Sequence, residues 1–255
     1  HSVVFTSATM AVSHNFDHFD AAVGLSKGDF SHQSRELDSS FNFDENMAVV
    51  VPKDIPEPND ARYLQVLEEV LYDIHVGMGG SVLTLFTNRR DMEQLYERLK
   101  SRLAENGLLL ECQERSGSAR HLRDRFVADE ACSLFALKSF WEGFDAVGDT
   151  LRCVVIPRLP FASPNDPISK ERSQREERAW WRYSLPEAVI ATKQAAGRLI
   201  RSGSDKGILV LADSRVVSKR YGKQFLNSLP KKQASIVYRD DVKNFIARWR
   251  EEHGA

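Results

Sequence analysis

Short apolar runs alternate with helical patterns along most of the chain, and this alternation restricts the fold more than any other feature. Each run is long enough for one buried strand, and apolar residues at helical spacing follow it. Strands that alternate with helices form a parallel sheet with helices on both faces. The sequence therefore predicts an α/β domain with a mostly parallel sheet. The strands predicted beyond residue 60 are Ser81–Phe86, Leu108–Cys112, Ser133–Leu137, Leu151–Ile156 and Gly207–Ala212.

The helices are predicted from apolar residues that recur every three or four positions. Glycine, asparagine and proline residues mark where several of them begin or end. The predicted helices are Ala61–Val76, residues 89–106, Gly117–Asp129, Asp166–Trp181, the stretch from Pro186 to Gly203, Val216–Leu226 and Val242–Trp249.

The first sixty residues have a different character. Val3–Thr6 predicts a short buried strand, and Ser7-Ala8-Thr9 follows it. Residues 11–60 are polar, acidic and rich in turn residues, which indicates a connecting segment. Within that segment we expect a strand at Ala48–Val51 and a short helix around Phe16–Val23. Because the chain has no initiator methionine and opens directly on a strand, we expect it to be a piece of a longer protein.

Composition limits the classes of protein that remain. At 255 residues and 42% hydrophobic content the chain can bury a full core. The net charge is -1, so there is no overall basic signal for nucleic acid, but charge is unevenly distributed. Residues 14–60 hold ten acidic and three basic side chains, whereas residues 214–232 hold six basic and no acidic ones. A polyanion should therefore prefer the C-terminal part.

Cysteines and hydropathy bear on the compartment. Cys112, Cys132 and Cys153 are widely spaced, and each lies in or beside a predicted strand, so we expect buried thiols in a reducing compartment. No run approaches the ~18 apolar residues that a membrane span requires, and we expect no signal peptide. We expect a cytoplasmic protein without a membrane partner.

The octamer Gln194–Arg201 carries the strongest candidate site. In a helix that continues to Gly203, residues Gln194, Arg198 and Arg201 share one face. Gly197 beside them removes a side chain, so that a ligand could approach the backbone closely. A glutamine, two cations and a clearing suit a phosphate ligand. The alternative is an amphipathic helix whose arginines are simply solvated.

Two further stretches lie where a strand meets a loop or helix. Thr87-Asn88 precedes a helix N-terminus, which could bind an anion or could merely be capped by one of these side chains. The loop Ser139–Asp145 follows a strand at its carboxyl end, where ligands bind in open α/β sheets. Its residues Trp141 and Phe144 could stack on bases or fill the core.

Taken in order, these stretches resemble the motifs of DinG-like and XPD-like DNA helicases of superfamily 2. The motifs are T-S-A-T, L-F-T-N, F-W-E-G-F-D-x-x-G with the later L-P-F, Q-x-x-G-R-x-I-R, D-x-R and Y-G-K. The resemblance implies that residues 61–255 form the second, three-layer RecA-like motor domain. Residues 1–10 would be the tail strand of the first motor domain, and residues 11–60 an acidic connecting segment. The parent would move 5′→3′ along single-stranded DNA.

The resemblance also assigns roles to residues. Arg198 and Arg201 would be catalytic, one as an arginine finger, with Gln194, Gly197, Gly143 and Asp145 at ATP. Ser7, Thr9 and Glu142 would couple ATP to DNA. Thr87, Asn88 and Trp141 would contact DNA, although Asn88 stands where relatives often have serine. We expect Thr87, residues 142–145 and residues 194–201 to lie on one edge of the sheet.

The chain lacks a phosphate loop, a D-E-x-H acid pair and four grouped cysteines. The resemblance places ATP and Mg²⁺ mainly on a missing N-terminal motor domain, which could also hold an iron–sulfur cluster. We therefore expect a monomeric fragment that binds no metal, lacks ATPase activity alone and has single-stranded DNA and the missing domain as partners. Two alternatives stay open: a non-catalytic RecA-like module that binds nucleic acid or a partner, and half of an RNA-directed helicase.

Overall fold

A seven-stranded sheet forms the centre of the molecule. The computed structural model describes residues 2–28, 31–137, 140, 150–163, 165–231 and 233–254. Within these residues all strand pairs are parallel, and the strand order is β3-β4-β2-β5-β6-β1-β7. The strands are β1 Met47–Pro52, β2 Val82–Leu85, β3 Leu109–Cys112, β4 Cys132–Ala136, β5 Cys153–Ile156, β6 Gly207–Leu211 and β7 Ser235–Val237. The predicted parallel sheet is confirmed.

Ten α-helices lie in the described part of the chain. They are α1 Asp17–Ala22, α2 Phe43–Asn46, α3 Tyr63–Met78, α4 Arg89–Ala104, α5 Ala119–Ala128, α6 Pro167–Arg175, α7 Leu185–Ala196, α8 Arg215–Ser218, α9 Gly222–Ser228 and α10 Val242–His253. Short 3₁₀ turns occur at Leu25–Lys27 and Arg239–Asp241, and a π-helical turn spans Trp180–Ser184.

The sheet separates two hydrophobic cores, because alternate side chains of each strand point to opposite faces. In β1, Val49 and Val51 pack in one core, whereas Ala48 and Val50 pack in the other. Side chains of α3, α4 and α10 fill the core that contains Val50. Side chains of α5, α7 and α9 fill the other. The result is three layers, as predicted.

Of the two strands predicted in the first sixty residues, one is wrong and one is confirmed. Val3–Thr6 forms no strand, and the side chains of Val3 and Val4 are 74% and 84% exposed, because no strand in the described part of the chain pairs with them. The strand predicted at Ala48–Val51 exists as β1, but it belongs to the sheet, between β6 and β7. Part of the predicted connecting segment of residues 11–60 thus belongs to the sheet.

Two predicted helices are each divided in the structure. The helix predicted at 166–181 ends at Arg175, and the π-helical turn then leads directly into α7. Pro186 has no backbone N–H to continue an α-helical hydrogen-bond ladder at that point. The helix predicted at Val216–Leu226 is split into α8 and α9, which pack closely at Gly222. Strand β7 was missed because it has only three residues.

Gly222 provides a test of this close packing. A methyl group on its Cα would overlap the carbonyl oxygen of Val216, whereas one on Gly203 would meet no atom within 4 Å. We expect Gly222→Ala to lower the free energy of unfolding by roughly 1–3 kcal/mol, since overpacking forces a backbone shift. Gly203→Ala is the matched control and should change it far less. Urea unfolding of the two variants checks this, and equal midpoints would contradict it.

His75 makes the stability depend on pH. Burial lowers the pKa of its imidazole from 6.5 to about 3, and its Nε2 lies 3.3 Å from Thr84 Oγ1. The neutral form is favoured in the folded state, so its contribution is complete above pH 6.5 and is lost as the pH falls towards 3. We expect the free energy of unfolding to fall by up to ~1.4 kcal/mol per pH unit in this window.

Urea unfolding at pH 8, 6 and 5 checks this, with His75→Leu as the comparison. Relative to His75→Leu, the free energy of unfolding of the wild type should fall as the pH is lowered, because the buried imidazole resists protonation in the folded state. Parallel curves for the two proteins would show that His75 does not cause the acid sensitivity.

Candidate functional site

A groove of about 2080 Å³ lies between the N-terminal segment and the carboxyl end of α7. We call it the α7 groove; residues from the stretches 2–25, 31–43, 193–201 and 226–230 contribute to its walls. Six of the residues predicted from the motifs line it. They are Ser7, Thr9, Gln194, Gly197, Arg198 and Arg201.

A hydrogen bond joins the first and the last of these motifs. Gln194 Nε2 donates to Thr9 Oγ1 over 3.4 Å, across 185 positions in sequence. The backbone N–H of Thr9 in turn donates to Ser7 Oγ at 3.2 Å. The structure therefore brings the T-S-A-T and Q-x-x-G-R-x-I-R stretches together, as members of one site would be.

The sequence predicts that Arg198 and Arg201 extend from a helix, but in the structure they lie beyond its end. Helix α7 ends at Ala196, well before Gly203, and the next residues form turns. Leu199 and Ile200 are both 2% exposed, because the chain turns here to bury two adjacent apolar side chains. Arg198 is buried to 7% exposure, whereas Arg201 is only half-buried. Their proximity comes from this turn instead of a shared helical face.

Gly197 keeps part of the α7 groove open. Its backbone conformation is ordinary, with φ of -64°, so no positive φ requires glycine here. A methyl group would meet only the carbonyl oxygens of Lys193 and Gln194, at 3.5 and 3.6 Å, and Gly197 is exposed. The predicted clearing is present, and its role towards a ligand stays a prediction.

Asp205 fixes the turn that carries Arg201. Its Oδ2 accepts hydrogen bonds from the backbone N–H of Arg201 at 2.8 Å and of Ser202 at 2.9 Å, and its Oδ1 accepts from Ser202 Oγ at 2.6 Å. Burial alone would raise the pKa of this carboxyl. The hydrogen bonds from Ser202 and Arg201, with the charge of Arg201, outweigh burial and lower the pKa below 3.8.

The predicted DNA contacts lie at the end of β2. Asn88 is the N-cap of α4, and its Oδ1 accepts from the backbone N–H of Arg90 at 2.9 Å and of Asp91 at 3.4 Å. Thr87 is exposed. Of the alternatives for this pair, capping is observed for Asn88, and Thr87 remains accessible to a ligand.

The α7 groove and Thr87 lie at opposite ends of the strands, which we call the amino edge and the carboxyl edge of the sheet. Thr87 follows the carboxyl end of β2, whereas Leu199 packs at the amino end of β6. A methyl group on Gly207, the first residue of β6, would lie 2.8 Å from Leu199 Cδ2. Because all strands are parallel, the expectation that these residues share one edge is wrong. The predicted residues Trp141, Glu142, Gly143 and Asp145 lie outside the described residues.

Asp213 and Arg215 form an ion pair that holds two loops together at the carboxyl ends of the strands. The sequence analysis gave this pair no role. Asp213 is 1% exposed and accepts from Arg215 Nη2 at 2.6 Å and from the backbone N–H of Leu159 at 2.8 Å. The D-x-R motif thereby ties the loop after β6 to the L-P-F loop after β5. The two-residue spacing was the signal for this pair.

An aromatic cluster supports the same loops. The ring centroid of Phe161 lies 5.4 Å from that of Trp180 and 5.6 Å from that of Tyr221, and the Arg215 guanidinium lies 5.7 Å from the Phe161 ring. Phe161 and Tyr221 belong to the L-P-F and Y-G-K motifs. These motif residues therefore pack against each other and hold the loops together.

The three cysteines are buried, as predicted. Burial raises the pKa of the Cys112 and Cys132 thiols to about 12 and raises that of Cys153 as well. They are therefore neutral thiols at pH 7. Among the described residues, no group of three or more His, Cys, Asp or Glu could hold a metal ion. No described helix has the length and apolar character to cross a membrane.

Asp205 can be tested for its hold on the turn. We expect Asp205→Ala to lower the free energy of unfolding by roughly 1–2 kcal/mol at pH 7, because three hydrogen bonds to a carboxylate are lost. Since the folded pKa is lowered, this contribution is present above pH 3.8 and is lost as the pH falls through the folded value. Asp124→Ala, on exposed α5, is the control. If the difference in the free energy of unfolding between wild type and Asp205→Ala were the same at pH 2.5 as at pH 7, this account would be contradicted.

Comparison with known proteins identifies the family. The helicase C-terminal domain family matches residues 72–232. The chain is 35% identical over 233 residues to the ATP-dependent DNA helicase YoaA of Escherichia coli, covering 90% of this chain and 35% of that protein. It is 31% identical over 258 residues to the 3′-5′ exonuclease DinG of Bacillus subtilis, covering 98% and 28%. The chain thus spans about a third of the length of these relatives.

Solved structures agree in fold. An XPD helicase superposes with a TM-score of 0.58 at 22% identity, over 75% of this chain and 35% of that one. The C-terminal domain of the DEAD-box protein Dbp5 superposes with a TM-score of 0.51 at 16% identity, over 81% and 99%. These likenesses confirm the predicted RecA-like fold. With the sequence match over more than half its length, the chain belongs to the family of helicase C-terminal domains.

Proposed function

We propose that this chain is the second motor domain of an ATP-dependent DNA helicase, and that the α7 groove faces ATP bound on the first motor domain. The observation that carries the proposal is the hydrogen bond between Gln194 and Thr9. It places the motif that would end the first domain directly against the motif that would read the triphosphate. Two unrelated surface stretches would have no reason to meet in this way.

The α7 groove has the chemistry that a triphosphate requires. Arg198 and Arg201 supply planar donors that can each bind two phosphate oxygens, and Gln194 supplies an amide beside them. Because Asp205 fixes the backbone of Arg201, that arginine is positioned before the ligand arrives. Preorganised cations of this kind stabilise the charge that develops during phosphoryl transfer.

The DNA track, in this proposal, follows the other edge of the sheet. Thr87 and Arg90 are both exposed there, beside the amino end of α4. The loops tied together by Asp213 and Arg215 lie at the same ends of the strands, and one of them leads into the first part of the basic stretch 214–232. ATP and DNA would therefore bind at opposite ends of the strands and would not compete for space.

Other parts of the activity would belong to the rest of the parent protein. ATP and Mg²⁺ would be held mainly by the first motor domain. Movement 5′→3′ on single-stranded DNA, a monomeric state and a cytoplasmic location are part of the proposal. From the relatives' names we take over the ATP-dependent DNA helicase activity and leave the exonuclease aside.

Arg201 tests the proposal in the full-length protein. We expect Arg201→Ala to lower DNA-stimulated ATP turnover by ~10³ or more, as for an arginine finger. Arg201→Lys should rescue little, because a point charge does not replace a planar forked donor. Thermal stability should change by less than ~1 kcal/mol, since the side chain is half-exposed.

Arg248→Ala, on the exposed face of α10, is the matched control and should keep normal turnover. ATPase rates with and without single-stranded DNA, together with melting curves, provide the measurement. Normal rates in both Arg201 variants would refute the role of the α7 groove. A full-length protein without any ATPase activity would favour the non-catalytic alternative.

A further inference from the structure

Lys193 lies in the α7 groove, and the motifs assign it no role. It occupies the last turn of α7, immediately before Gln194, and its side chain is only 18% exposed. A lysine enclosed to this degree keeps its charge at low cost only if an anion is close by. The question is therefore which anion accompanies its ammonium group.

In the structure that anion is Glu36, on the opposite wall of the groove. Glu36 Oε1 lies 3.9 Å from Lys193 Nζ, and Glu36 Oε2 lies 2.7 Å from His14 Nδ1. Glu36 belongs to residues 31–39, which all line the groove and which we call the strap. One carboxylate thus links the strap to α7 and to the turn that contains His14.

The turn at His14 is itself fixed. The backbone N–H of Ser13 donates to Ser228 Oγ at 2.8 Å, and Val12 and Asn15 exchange backbone hydrogen bonds. Ser13 and His14 both have positive φ, of 48° and 62°. His14 is therefore held in place at the end of α9, and it presents its ring to Glu36.

The contact between Lys193 and Glu36 is easily exchanged. At 3.9 Å it is an ion pair without a hydrogen bond, and Glu36 is 38% exposed, so solvent screens the attraction. A phosphate oxygen can approach an ammonium group to about 2.8 Å and form a charge-assisted hydrogen bond. A phosphate that entered the groove would thus bind Lys193 more strongly than Glu36 does.

We propose that Lys193 is a further phosphate-binding residue of the α7 groove, and that Glu36 neutralises it until the triphosphate of a nucleotide displaces the strap. This inference rests on the proposed function. DNA also carries phosphate, but Lys193 adjoins Gln194 at the amino edge of the sheet, whereas Thr87 lies at the carboxyl edge. The location favours the nucleotide.

The test measures nucleotide affinity of the full-length protein, using the Mg²⁺ complex of the non-hydrolysable β,γ-imido analogue of ATP without DNA. Lys193→Met should weaken binding about tenfold or more, the loss expected for a hydrogen bond to a charged group. Lys193→Arg keeps the charge and should bind within a fewfold of wild type. Lys170→Met, on exposed α6, is the matched control and should bind normally.

Glu36→Gln should tighten binding by about two- to fivefold, since a screened surface pair is broken in advance. The gain should vanish in the double variant with Lys193→Met, because the carboxylate acts through that lysine. Glu45→Gln removes the same charge from exposed α2 and should have no effect. Turnover at saturating ATP should change less than twofold in the Lys193 variants, which separates a role in KM from a role in kcat.

Strap release has a readout independent of turnover. Trypsin cleavage after Arg35, followed by mass spectrometry, should be faster in Glu36→Gln than in wild type. Saturating analogue should also accelerate it in wild type. Cleavage that neither the substitution nor the nucleotide changes would overturn the displacement of the strap.

Failures of this inference and of the proposed function are distinguishable. Wild-type affinity in Lys193→Met, with turnover still lost in Arg201→Ala, overturns the role of Lys193 alone. Weaker binding of a single-stranded oligonucleotide in Lys193→Met, with unchanged nucleotide affinity, also overturns it. If the wild-type protein binds no nucleotide, both proposals fail. If Lys193→Met does not fold, as shown by melting curves, wild-type affinity in Glu36→Gln still overturns the inference.

Discussion

The parallel pairing of β1 with β6 determines how the rest of the chain comes together. Met47, the first residue of β1, lies opposite Gly207, the first residue of β6. Because the two strands are parallel, the chain before β1 must arrive at the same edge from which β6 starts, and the turn after α7 ends there too. The chain that leads into β1 therefore lies close to the end of α7. This strand pairing thus brings the chain that enters β1 to the same end of the sheet as the contact between Thr9 and Gln194.

The same constraint separates the two candidate ligand surfaces. Strands of four to six residues hold the α7 groove and the carboxyl-edge loops about 13–20 Å apart, at ~3.3 Å per residue. Any coupling between ATP and DNA would have to pass along the sheet or through the loops that end at β5 and β6. The buried pair Asp213–Arg215 holds those loops together, since Asp213 also accepts a hydrogen bond from the backbone of Leu159.

The sequence predicts the elements of the fold correctly where the local pattern of apolar residues agrees with their burial in the folded protein. β2, β4, β5 and β6 are buried along their whole length and were predicted nearly to the residue. The end of α7 was misplaced because Leu199 and Ile200 satisfy a helical pattern equally well when they are buried in a turn. Val3–Thr6 has a strand composition, but a strand also needs a partner. The family motifs predicted the residues of the α7 groove, although their roles remain predictions.

Contacts between distant segments could not be read from local patterns. Glu36 lies in a polar, acidic stretch that carries no motif, and nothing in the sequence relates it to Lys193 or His14. Asp205 looks like an ordinary loop aspartate until its three hydrogen bonds are seen. In both cases the partners meet only because the folded chain brings them together beside the end of α7.

The cations of the α7 groove differ in how they are held, and this difference suggests a division of roles. The backbone of Arg201 is fixed, since Asp205 accepts hydrogen bonds from the N–H groups of the turn, so the base of this side chain is held without a ligand. Lys193 is held only through its charge, by a carboxylate that solvent reaches. A cation fixed in advance costs no reorganisation at the transition state and acts on the chemical step. A cation whose counterion must first leave acts on the binding equilibrium. One groove could in this way tune the affinity for ATP and the rate of its hydrolysis separately.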